Sequence, residues 1–157
     1  MSLYLIPNRP IAIAEWVRRR IADVSDFGPC GAIGVWSTVR QDIVAGIVYS
    51  QFDGRSLQMS IASDDPSWCT RGVLRCLFDY PFNQLRCARV AALTLVTADH
   101  TRAFLQRAGF SYEGCLREGF PSGDVAIYGM LRRECRWLRG SGRGEEIRQQ
   151  LTTAAAA

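Results

Sequence analysis

A chain of 157 residues with 48% apolar side chains, 22% charged ones and a net charge of +4 fits one domain with a real core and excludes a disordered chain. No apolar run approaches the ~20 residues of a membrane-spanning helix. Near the N-terminus the arginines follow the apolar stretch, the reverse of an export signal, so a cytoplasmic protein is expected.

Six cysteines lie scattered without a C-x-x-C pair, and His100 is the single histidine. That pattern argues against a metal site and predicts reduced, mostly buried thiols. All 19 basic residues are arginines. Several cluster over residues 132–148, a mild basic excess that leaves nucleic acid as a weakly supported partner.

In chain order, residues 11–22 predict an amphipathic helix with Ile13, Trp16, Val17 and Ile21 on one face. Three strand patterns follow: 31–37 (GAIGVWS), 42–52 (DIVAGIVYSQF) and 56–63 (SLQMSIAS). Asp53-Gly54 marks a hairpin turn, so the three form an antiparallel meander. Residues 67–80 place Val73, Leu74, Leu77 and Phe78 on a helix that Pro81 ends.

Residues 89–96 (RVAALTLV) are apolar almost throughout and predict a buried strand, parallel to 56–63 because a helix joins the two. Asp99 or Thr101 caps the next helix, whose inward face carries Ala103, Phe104 and Ala108. Gly109 sits where a left-handed residue closes a helix, with Phe110 folding back on it. Residues 111–117 and 125–131 form a second antiparallel pair, joined through 121–124, where Asp124 is a turn residue. The domain is expected to end at residue 138, with a flexible or loosely docked tail over 139–157. The fold class is α/β: a mixed sheet with an antiparallel N-terminal meander, one central parallel pair and helices on both faces.

This order of elements, with WCTRGVL opening the middle helix and AFLQRAGFSYEGCLR over residues 103–117, resembles the GNAT (GCN5-related N-acetyltransferase) family. The likeness is to the branch of ribosomal-protein N-terminal acetyltransferases and their bacterial and phage relatives. It spans residues 31–134 and rests mostly on the Gly-Phe, Glu-Gly and Leu-Arg series. The resemblance implies a splay between strands 56–63 and 89–96. It also implies an N-acetyltransferase that takes acetyl-CoA as cosubstrate and transfers its acetyl group to a primary amine, the acceptor being undefined.

The resemblance places backbone groups of Ile61 and Ala62 against the pantetheine and the turn Thr70, Arg71, Gly72, Val73 and Leu74 against the pyrophosphate, with Phe104 beside the cofactor. It includes no metal. Departures from the family pattern fall at Cys69, Leu74, Ala98 and Leu105, the last replacing a common tyrosine. Tyr128, Glu113 and His100 remain as candidates for proton transfer, and Trp68 and Trp36 for a substrate pocket. Two other readings stay open: a GNAT-fold binding module without catalysis, and a relative that modifies or binds nucleic acid. Dimerisation through the last strands is a further expectation.

Overall fold

The structure is a computed structural model and describes residues 2–138; the expected tail, and with it the boundary at 138, involves residues outside that range. Among the described residues seven strands form one sheet in the order Leu3–Ile6 (β1), Cys30–Ser37 (β2), Asp42–Ser50 (β3), Ser56–Ser63 (β4), Arg89–Leu95 (β5), Gly123–Leu131 (β7), Ser111–Phe120 (β6). The meander consists of β2 (Cys30–Ser37), β3 (Asp42–Ser50) and β4 (Ser56–Ser63), all antiparallel. Asp53 makes its tight return, its Oδ1 accepting from the N–H groups of Arg55 (2.9 Å) and Ser56 (2.7 Å). A strand that the sequence reading missed, β1 (Leu3–Ile6), adds antiparallel to β2. Four residues ahead of Pro7 are too few to display a period.

The first helix, α1 (Pro10–Arg18), starts on its proline and ends four residues before the expected position. It buries Ile13 and Val17 against one sheet face, in a cluster with Ala32, Val48 and Ala62. The close approach depends on two strand glycines. A Cβ at Gly34 would lie 2.5 Å from Ile13 Cδ1, and one at Gly46 2.6 Å from Val17 Cγ2.

The crossover from β4 differs from the continuous helix expected over 67–80. A short 3-10 turn (Pro66–Trp68) comes first, then α2 (Arg71–Asp79), N-capped by Thr70. Pro81 does not end the helical path. The chain widens into one π-type turn (Tyr80–Gln84), closed by Leu85 N–H donating to Tyr80 O at 3.0 Å. A proline at 81 deprives the carbonyl of Leu77 of its helical donor. The Tyr49 hydroxyl donates to that carbonyl instead, at 2.7 Å, so the proline is accommodated.

Next come β5 (Arg89–Leu95) and α3 (Asp99–Ala108). Neither expected cap is used, because Ala98 holds the N-cap position without a side-chain bond. Asp99 lies in the first turn, where its charge suits the helix dipole. Gly109 adopts φ +105°, and Phe110 N–H donates back to Leu105 O at 2.9 Å. Phe110 is buried against Phe78, ring centroids 5.9 Å apart. The chain leaves α3 directly into β6 (Ser111–Phe120), which pairs with β7 (Gly123–Leu131).

Helices α2 and α3 share the main core on the face opposite α1. All six cysteines are free, but only Cys76, Cys87 and Cys135 are buried; Cys69 and Cys115 are exposed, on a turn and on an edge strand. Among the described residues no helix is long and apolar enough to cross a membrane.

Replacing Gly46 by Ala should drive α1 off the sheet and destabilise the domain by about 1–3 kcal/mol. Denaturant unfolding measures the loss.

Candidate active site

Strands β4 and β5 pair in parallel at three positions only: Ser56–Arg89, Leu57–Val90 and Gln58–Ala91. Beyond them each strand keeps its outer partner. On β4 the antiparallel register with β3 runs on to Ser63–Ala45, and on β5 the register with β7 runs on to Leu95–Val125. The inner edges are left without each other. Asp64 N–H donates to Val44 O and Val96 N–H to Asp124 O. With a period of two along a strand, Ala62 and Ser60 also turn their backbone to β3. Ile61 and Ser63 on β4, and Leu93 and Leu95 on β5, turn theirs into the gap. The splay is therefore real. Ile61 offers its backbone as expected, whereas that of Ala62 is already used by the sheet.

The gap opens a cleft of about 800 Å³. One side is walled by Trp68, Cys69, Arg71 and Leu74 from the approach to α2, and by Phe104 and Arg107 from α3. Trp68 and Phe104 meet there with ring centroids 6.0 Å apart. The other side is walled by residues just after α1, among them Ile21, Asp23 and Val24, and by Phe120 at the β6–β7 hairpin.

At the start of α2 most donors are already spent. Cys69 N–H and Thr70 N–H bond to Pro66 O and Trp68 O, Leu74 N–H to Thr70 O, and Val73 N–H to Thr70 Oγ1 at 3.2 Å. The N–H groups of Arg71 and Gly72 remain, at a helix N-terminus where the dipole favours an anion. The five-residue cradle implied by the resemblance thus reduces to two backbone donors plus the exposed Arg71 side chain. Leu74 is 5% exposed and forms part of the wall, leaving the cleft open. Burial pushes the Cys69 thiol up, with Arg107 opposing.

The three candidates for proton transfer separate. His100 is exposed and lines the cleft. Tyr128 is fully buried and forms no part of the cleft wall. Its hydroxyl accepts from Arg102 Nε at 3.0 Å, while Arg102 Nη1 bonds Val96 O at 2.9 Å. Glu113 lies across β7, where a Cβ at Gly129 would run into its carboxylate. It forms a two-armed ion pair with Arg89, at 2.8 and 2.7 Å. That hydrogen-bonded partner holds the Glu113 carboxyl below its usual range. Neither Tyr128 nor Glu113, both candidates for proton transfer, lines the cleft: a strand register shows which residues alternate, but not which face the helices cover.

Trp68 lines the cleft, whereas Trp36 lies on β2 away from it. Sequence reasoning missed Asp23, Arg107 and Trp137, all of which line the cleft. Trp137 donates from its indole N–H to Ala108 O at 2.7 Å. It had no sequence signal beyond an aromatic side chain in an arginine-rich stretch.

Seven strands with one short parallel pair that splays, and helices on both faces, define the GNAT acyltransferase fold. No family profile matches the chain. Its sequence is 28% identical over 141 residues, 80% of this chain and 70% of the relative, to a Bacillus subtilis (strain 168) protein provisionally named ribosomal N-acetyltransferase YdaF. In fold it is similar to a spermidine N-acetyltransferase SpeG chimera from Vibrio cholerae and hSSAT, with TM-score 0.70, 14% identity, and 88% of this chain and 100% of that one covered. The ribosomal-protein-S5-alanine acetyltransferase of Vibrio fischeri follows at TM-score 0.62, with 14% identity, 87% of this chain and 94% of that one covered. The fold expected from the sequence is borne out, and the similar proteins found by sequence and by structure are named as N-acetyltransferases.

Because Arg89 depresses the Glu113 carboxyl, the pair stabilises the fold fully above the ordinary glutamate value of ~4.3 and progressively less as pH falls through the depressed one. Glu113→Gln should cost less than about 1 kcal/mol at pH 7, with the difference vanishing in acid. Unfolding curves across pH check this, and coenzyme A affinity should be unchanged.

Proposed function

We propose that the chain transfers the acetyl group of acetyl-CoA to a primary amine. The observation that carries this reading is the loss of β4–β5 pairing after Gln58–Ala91. It leaves two strand edges with free peptide groups facing a cleft that is open towards both sheet faces. One side would take the cosubstrate: Ile61 and Ser63 peptide groups for the pantetheine amides, Arg71 and Gly72 N–H groups with the Arg71 and Arg107 guanidiniums for the phosphates, and Phe104 as an apolar wall. The other side, between the α1–β2 connection and the β6–β7 hairpin, would take the acceptor.

Most of the chemistry in such a site is positional. Holding amine and thioester in line is worth up to roughly 7–11 kcal/mol. A peptide N–H at the gap aimed at the developing oxyanion adds about 3 kcal/mol. Proton transfer adds a factor of about 10²–10⁴, and His100 is the sequence candidate that lies where it can serve. The amine must be neutral when it attacks; its second proton leaves after the C–N bond forms, and the departing thiolate takes one up.

A second reading, cofactor binding without turnover, draws on Leu105, a buried residue that lines the cleft and carries no hydroxyl. The alternative involving nucleic acid loses two free cations in the described part of the basic stretch. Arg132 is bound to Phe82 O and Asn83 Oδ1, and Arg136 to Arg107 O.

Calorimetric titration with coenzyme A should show saturable binding that Arg71→Ala weakens about 10-fold; no binding at millimolar concentration would refute the proposal. In steady-state acetylation, His100→Ala should lower kcat about 10²-fold with coenzyme A affinity unchanged, whereas Tyr128→Phe should lower stability and leave kcat within a factor of about 2.

A further inference from the structure

Asp23 combines three features on the acceptor side of the cleft. Its backbone has φ +68°, a left-handed conformation uncommon for a non-glycine residue though more accessible to Asp than to most. Its Oδ1 accepts from Ser122 Oγ at 2.7 Å and from Ser122 N–H at 3.2 Å, which ties the α1–β2 connection to the β6–β7 hairpin. Its Oδ2 is buried and has no hydrogen-bond partner among the described residues. The latch to Ser122 needs one acceptor atom, which an asparagine would supply without a buried charge. The second oxygen is thus an unexplained cost at a cleft wall.

The surroundings do not neutralise it. Arg20 shares the wall, but it is bound to Asp64 through contacts of 2.8 to 3.0 Å. Ile21, Ala22, Val24 and Phe120 beside it on the wall bring only apolar side chains. Among the described residues that line the cleft, Asp23 is the one carboxylate. This wall is therefore mostly apolar, with Arg20 engaged by Asp64 and one carboxylate that keeps an oxygen without a donor.

We propose that Asp23 selects the acceptor. A small rotation about its Cβ–Cγ bond brings the free oxygen to an incoming donor, and the donor that suits a partly desolvated carboxylate is a cation with N–H groups. The acceptor class is an amine that docks as an alkylammonium on an apolar stem, such as a lysine-type side chain or an aliphatic amine, and loses a proton before it attacks; it is taken in preference to a neutral or anionic molecule of the same length. Asp23 is a specificity-determining residue. This inference rests on the reading of the cleft as an acyl-transfer site and deepens it.

The test titrates n-butylammonium, n-butanol and butyrate separately into the full chain saturated with coenzyme A, and into its Asp23→Asn variant, which keeps the Ser122 contacts and removes the charge. Butylammonium should bind at least about 10-fold more tightly than the other two. Asp23→Asn should erase that preference and leave coenzyme A affinity unchanged. Equal binding of the three probes, no butylammonium binding, or a preference that survives in Asp23→Asn would overturn the assignment. The three-probe comparison on the unaltered chain decides even if the variant does not fold. If coenzyme A fails to bind while the butylammonium preference and its loss persist, the acyl-transfer reading falls and the Asp23 assignment stands.

Discussion

Two neighbouring parallel strands that pair at three positions and then part give this molecule its cleft. Breaking a ladder in the middle of a sheet is ordinarily costly, because buried peptide groups must find partners. The cost here is confined to one edge of each strand. β4 stays hydrogen-bonded to β3 and β5 to β7, so only alternate residues, Ile61 and Ser63 facing Leu93 and Leu95, lose their ladder. Water in an open cleft can satisfy those groups, as can the amide groups of an extended ligand. The same peptide groups thus make the sheet tolerable when empty and useful when filled.

The two half-sheets are kept apart by separate bracing. The N-terminal half carries α1, seated so closely on Gly34 and Gly46 that their missing side chains define its position. The C-terminal half carries α3, fixed by Arg102 reaching both the Tyr128 hydroxyl and the Val96 carbonyl. Tyr128, expected to handle protons, instead anchors the helix that presents His100 and Phe104 to the cleft. Helix α2 spans the join, with Phe78 against Phe110 and the preceding Trp68 against Phe104.

The fold was legible where a local physical requirement leaves a residue signature. Gly109 at φ +105°, followed by the buried Phe110, is such a case: the backbone reversal demands a glycine and the return demands an apolar residue. Strand β4 was read with its exact bounds because alternation and flanking turns both mark it. Pro81 misled, since the Leu77 carbonyl that it leaves free is taken by Tyr49, 28 positions away from Leu77. The wall at the start of α2 was partly legible through Thr70, Arg71 and Gly72, although cap formation uses more of its N–H groups than the sequence suggests. The opposite wall, after α1, was not legible at all. Asp23 matters through Ser122, 99 residues distant, and nothing local distinguishes that pairing from an ordinary helix end.

The central claim is that β4 turns unpaired peptide groups into the gap, and residue-resolved amide hydrogen exchange tests it most directly. Ile61 and Ser63 should exchange quickly in the free chain and slow when coenzyme A is added, while Ala62 and Leu57 stay protected throughout. Protection of Ile61 and Ser63 equal to that of Leu57 in the free chain, or no change on adding coenzyme A, would contradict it.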